Sequence, residues 1–223
     1  YEKAIHSINN SLSIYEKYYG ESHIRIIENS YKLGAIYFEV GDYHRSGELL
    51  EKAFFLLKKY YPNHNKLSSD ILSFLGFNYL KLHNYKKTIE MLNLAYSHGE
   101  KHYPKNNYTL AWIRAIQGMA YGELGQYEQA KNLMEQALAI WKQHYGHNHF
   151  EIARLLRDLS RIYFLKGDLA TANNLLTQSL TIFQQHRHPE IYSSYEALAE
   201  LFLKQFMQAI TKKEEREAQA LKA

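Results

Sequence analysis

The stretch GMAYGELGQYEQAKNLMEQALAIW, residues 118–141, decides the fold. It breaks at Gly125-Gln126. Before the break, Gly118, Tyr121 and Leu124 recur at spacings of three. After it, Tyr127, Ala130, Met134, Ala137 and Leu138 follow the i, i+3, i+7 rule of a single helix face. Glycine at the break permits the left-handed backbone that ends a helix and turns the chain back. The stretch predicts two antiparallel helices joined by a tight turn.

Outward from it, the pattern recurs every 42 residues. One column is Tyr19-Gly20, Tyr61-Pro62, Tyr103-Pro104 and Tyr145-Gly146; a second is Tyr37, Tyr79, Tyr121 and Tyr163. A third runs Tyr1, Tyr43, Tyr85 and Tyr127, then Leu169. These columns absorb twelve of the twenty tyrosines, so the odd tyrosine content is a product of repetition. Small residues form columns too: Ala4, Ser46, Thr88, Ala130 and Ala172, then Ser11, Ala53, Ala95, Ala137 and Ser179. Small side chains let neighbouring helices approach closely. The break recurs at Gly41-Asp42 and Gly167-Asp168, whereas the second unit has His83-Asn84. There asparagine, the residue next most tolerant of the left-handed region, is expected to make the turn.

The expected organisation is one all-α solenoid across residues 1–223. Residues 1–19 are an orphan second helix; 23–61, 65–103, 107–145 and 149–186 are full pairs; 188–223 is a partial fifth repeat. That last unit opens at His188-Pro189, 39 residues after His149, and has Phe206 where the turn glycine belongs. Its helix is expected to run on through FMQAITKKEEREAQALKA, a tail rich in alanine and mixed charge. With no polar capping repeat at either end, the chain is expected to be an excerpt of a longer solenoid.

Composition narrows the functions. With 27 basic and 23 acidic residues, the net charge is +4, and the lysines are scattered among acids rather than gathered into a phosphate track. Nucleic acid is therefore not an expected partner. No cysteine is present, which removes disulfides, thiolate zinc sites and cysteine nucleophiles. No apolar run is long enough to span a membrane, and YEKAIHS has no signal-peptide core. HYGHNH (residues 144–149) is the tightest histidine group, with Glu151 the nearby carboxylate; a structural loop is the reading preferred over a metal site. No HExxH, phosphate loop or nucleophile elbow occurs. No enzyme activity and no cofactor are expected.

Leu33-Gly34…Tyr37, Leu75-Gly76…Tyr79, Gly41-Asp42-Tyr43…Ser46 and Gly125-Gln126-Tyr127…Ala130 resemble the tetratricopeptide repeat. The usual period of that family is about 34. The Tyr-Gly-x-x-His step at Gly20…His23 and Gly146…His149 looks like the kinesin light chain type, common also in bacterial proteins. Lysine, asparagine, isoleucine and tyrosine usage points the same way, to a low-GC bacterial source. The resemblance implies a right-handed superhelix, with the first helix of each pair on the concave side and a peptide or protein segment as ligand. It also implies a cytoplasmic module, delivery into a host cell being the alternative.

On that basis the expected groove residues are Tyr31, Phe38, Phe77, Trp112 and Met119, followed by Arg154, Arg157 and Arg161. Aromatic anchors beside arginine forks suit a partner with apolar and acidic residues. Two pairs of readings stay open. The arginines either meet a ligand or pair with Glu151, Asp158, Glu196 and Glu200. Trp112 is either a groove hot spot or packing, with Ile113 and Ile116 buried in place of Arg114 and Gln117. The asparagine that kinesin light chains use to hold a ligand backbone is replaced by Lys32, Phe74, Ile116, Asp158 and Ala197, so that mode of holding does not carry over. Two further functions are peptide sensing for an output domain elsewhere and homodimerisation through exposed solenoid ends.

Overall fold

The computed structural model describes residues 1–220; residues 221–223 of the expected tail lie outside them. Among the described residues there are ten helices and no strand. They divide into two compact units, Tyr1–Leu124 and Gly125 onward.

The first unit holds α1 (Glu2–Tyr19), the pair α2 (Ile24–Glu39) and α3 (Tyr43–Tyr60), the pair α4 (Asn65–Lys81) and α5 (Tyr85–Gly99), and α6 (Tyr108–Glu123). Each helix packs on the next, and α4 also touches α2 and α6, so the first helices line up along one side. The core follows the small-residue columns. A Cβ on Gly76 would stand 2.5 Å from Leu92 Cγ, and one on Gly34 would stand 2.9 Å from Leu50 Cγ. Glycine is what lets α4 and α5 cross at this distance.

The second unit holds α7 (Tyr127–Tyr145), the pair α8 (Phe150–Lys166) and α9 (Leu169–Gln185), and α10 (Ile191–Ala220). α8 packs on α7 and α9, and α10 on α9 and α8. One close approach recurs with its donor exchanged. In α4/α5, the Ser69 hydroxyl donates to the Ala95 carbonyl at 2.8 Å; in α8/α9, Ser179 donates to the Ala153 carbonyl at 2.8 Å. The two contacts are the same positions, 84 residues apart. Either helix can supply the hydroxyl, provided the facing residue is small.

The turns correct one expectation. His83, not Asn84, takes the left-handed backbone, with φ 58°, at the position aligned with Gly41, Gly125 and Gly167. Asn84 instead aligns with the N-cap, its side chain accepting from the Lys87 N–H as Asp42 does from Arg45 and Asp168 from Thr171. Turn geometry places the positive φ one residue ahead of the cap. The cap needs an acceptor side chain, so asparagine is taken and histidine carries the strain.

Candidate functional site

The histidine of the Tyr-Gly-x-x-His step has a local task. His23 and His149 cap α2 and α8, their rings accepting from the N–H of Arg25 and Glu151 at 3.2 Å. His188 accepts from the Glu190 N–H at 3.3 Å just ahead of α10. The preceding tyrosine stacks on the capping ring, Tyr19 on His23 at 4.7 Å and Tyr145 on His149 at 4.4 Å. In the second unit the stack continues through Phe150 and His188 to Phe183. Among the described residues no three metal-ligating side chains converge.

In the first unit the structure joins most of the expected groove aromatics. Phe77 lies 4.7 Å from Phe38 and 5.5 Å from Trp112, centroid to centroid. Phe74 bridges Tyr31 at 5.6 Å, Phe38 at 6.0 Å and Trp112 at 5.9 Å. Tilted and edge-on geometry is what the ring quadrupole favours. Tyr31, Phe74, Phe77, Trp112 and Met119 are half-buried. Phe38 is the exception: only 8% exposed, it packs beneath the ladder and offers a ligand little surface. The aligned Leu80 and Gly122 are buried as well, so this position faces inward in each first helix of the unit, and Phe38 packs there on Phe74, Phe77 and Tyr43. Phe74 was not an expected groove residue. Its sequence signal is its column, the one in which kinesin light chains carry the ligand-holding asparagine, here filled by an aromatic side chain.

Trp112 combines the two readings. Ile113 and Ile116 are buried, but they do not displace Gln117: it is buried where Leu75 and Leu159 are, its amide donating to Asn93 at 2.8 Å, so α6 keeps the register of the other first helices instead of rotating. The indole packs on Phe74 and Phe77 yet keeps part of its surface in water. The ladder has a polar border. Lys66 and the Tyr103 hydroxyl both donate to Asp70, at 3.2 and 3.3 Å, and the Lys81 ammonium sits 5.2 Å over Phe77. Burial, then the charge of Asp70, raises the Tyr31 phenol well above its ordinary range, so it stays protonated. Tyr79 and Tyr163 are pushed up to about 12, first by burial and then by donating to Glu51 and Glu135. None of these phenols serves as an acid or base near neutral pH.

In the second unit Arg154 and Arg157 are held by one carboxylate. Arg154 Nε lies 2.7 Å and Arg157 Nη1 3.0 Å from the two oxygens of Glu190. Glu151 also accepts from Arg154, and Asp158 and Ser193 from Arg157. Both arginines are ion-paired. The chief partner is a residue the sequence reading did not name: at the 39-residue spacing Glu190 is the counterpart of Glu151, in the first turn ahead of the stripe that holds Ser193, Glu196 and Glu200. Arg161 lines a cleft of about 240 Å³ between α8 and α10, with Phe164, Leu176 and Leu201 as apolar wall and Glu196 and Glu200 across from it.

Burial works to raise the Glu190 carboxyl, but the Arg154 hydrogen bond and the two guanidinium charges more than offset it and lower its pKa. The sign follows: the clasp stabilises the fold above the unfolded glutamate value of about 4.3, and this is lost as pH falls through the lower folded value. Glu190→Gln is expected to cost about 0.5–1 kcal/mol at neutral pH, discounted for partial exposure. Thermal melts should find that gap closing in acid; a gap independent of pH would refute the electrostatic account.

A tetratricopeptide repeat family model matches residues 67–143 and 108–185, together more than half of the chain. A search of curated proteins finds no match. Among solved structures, BtubC (BKLC) from P. vanneervenii is 19% identical, with a TM-score of 0.73 over 100% of this chain and 92% of its own. The kinesin light chain-like repeats of Podosopora anserina are 20% identical, with a TM-score of 0.66 over 86% of this chain and 92% of theirs. YrrB, described as having an unusual peptide-binding site, is 17% identical, with a TM-score of 0.57 over 83% of each chain. No helix among the described residues is long and apolar enough to cross a membrane.

Proposed function

Because the chain belongs to the tetratricopeptide repeat family, we propose that it is a non-catalytic interaction module that holds an apolar segment of a partner protein against the Tyr31–Phe74–Phe77–Trp112 face. The observation that carries this is the ladder itself. Four half-exposed rings on three successive first helices touch one another and are fixed from below by the core. Such a surface is formed before the ligand arrives, so little ordering entropy is lost on binding. The rings supply desolvation, while Lys66 and Lys81 along the border favour an acidic flank and set its orientation. The peptide-binding site reported for YrrB is consistent with a fold of this kind serving as a receptor.

The test uses the two tryptophans. Trp141 is buried, so a Trp141→Phe background leaves Trp112 as the reporter. Peptides selected from a random library on the immobilised chain are expected to be rich in apolar and acidic residues and to shift Trp112 emission. Phe77→Ala is expected to weaken them by about tenfold or more, at least ~1.4 kcal/mol. Binding that ignores Phe77→Ala and leaves Trp112 emission unchanged would place the site elsewhere.

A further inference from the structure

α10 is built unlike the other first helices. α2, α4, α6 and α8 have 16 or 17 residues and end at a turn; α10 has 30 and runs straight through Phe206, the position aligned with the turn glycine. One of its faces is used. Ser194 and Leu201 are buried, and the Lys204 ammonium donates to the Phe164 carbonyl at 3.0 Å while lying 4.1 Å over its ring. Among the described residues nothing covers the other face: Tyr192, Tyr195, Phe202, Leu203, Phe206 and Met207 are 44–72% exposed. Every residue from Phe206 to Glu215 is exposed, so this half of the helix projects past the packed body of its unit.

We propose that this face pairs with the α10 of a second copy, antiparallel, as a two-fold dimer. Tyr192, Tyr195, Ala199, Phe202 and Phe206 follow spacings of three, four, three and four, which is the heptad seam of a helix that packs against another along its length. Antiparallel pairing lays the projecting half of each helix against the body-side half of the other and keeps the two bodies at opposite ends. With the two-fold axis between Phe202 and Leu203, Ala199 faces Phe206 of the other copy, and symmetry repeats this small-on-large match. A stable interface needs roughly 800 Å² a side. Four aromatics, each worth about 150–250 Å² when fully covered, together with Leu203, Met207 and Ile210, bring the face to that order. The dimer uses the second unit alone and does not depend on the aromatic face of the first.

The test is the mass of the full chain in solution, by light scattering and sedimentation over a range of concentrations. A dimer is expected, with Phe206→Glu raising its dissociation constant by about 100-fold or more and Gln208→Glu, on the opposite side of the helix, leaving it unchanged. Ala199→Phe is expected to break the dimer, and adding Phe206→Ala to restore it. The chain has no cysteine, so introduced thiols report alone. A mixture of Ala199→Cys and Phe206→Cys copies should cross-link through a disulfide. A monomer at every concentration overturns the proposal. So does Ala199→Cys linking to itself, which means parallel helices. So does a dimer indifferent to Phe206→Glu but lost with Tyr18→Glu, which means head-to-tail pairing through α1.

Discussion

Gly76→Trp is expected to leave the first unit unable to fold normally. The added Cβ alone would stand 2.5 and 2.6 Å from Leu92 Cγ and Cδ2, and Leu92 has no exposed surface into which it can retreat. Overpacking a core by a methylene or two costs about 1–3 kcal/mol. An indole must in addition push α5 away from α4 and break the Ser69–Ala95 hydrogen bond, so a loss of at least ~4 kcal/mol is expected, out of the ~5–15 kcal/mol typical of a domain. Circular dichroism melts should find the cooperative transition lowered or lost. Gly125→Ala is the control: its φ is 77° and nothing lies within 4 Å of a Cβ there, so only backbone strain of about 1 kcal/mol applies. Equal melting of wild type and Gly76→Trp would mean that α4 and α5 do not cross at Gly76.

Phe183→Ala is expected to cost about 3–5 kcal/mol, the usual figure for emptying a fully buried aromatic site. Phe183 has no exposed surface, and its ring stacks 5.3 Å from His188. The consequence spreads along a traceable line. His188 is the acceptor for the Glu190 N–H, and Glu190 in turn clasps Arg154 and Arg157. Without the phenyl ring, the start of α10 loses its packing partner, and the clasp loses the geometry that aims it at α8. Hydrogen exchange should therefore speed up at the first turn of α10 more than in α7. A uniform increase through the second unit would mean that Phe183 stabilises the core without positioning α10.

The histidines and tyrosines separate what was legible early from what was not. The repeat makes the Tyr-Gly-x-x-His step a local feature, since Tyr19 and Tyr145 stack on histidines four residues on, whereas Tyr79, Tyr103 and Tyr163 donate to carboxylates about thirty residues away that the columns do not reveal. His83 differed because the columns did not reveal which of two adjacent polar residues carries the positive φ. The candidate site was less legible still. Tyr31, Phe77 and Trp112 came from copying one stripe by the repeat length, but Phe38 lies under the ladder and Phe74 at its centre. Phe38, Leu80 and Gly122 share one position and all are buried, because the neighbouring helix covers it; the apolar periodicity of a single helix does not reveal that.

By itself, the sequence determined the helix pairs, their turns and the small residues where helices cross, since each rests on a 3.6-residue period or on the backbone freedom of one position. The tertiary structure alone decided which rings share a surface, that Glu190 answers two arginines, and that α10 continues past its turn with one face uncovered. Those outcomes depend on how side chains more than thirty residues apart meet in space. Local periodicity carries no information about that.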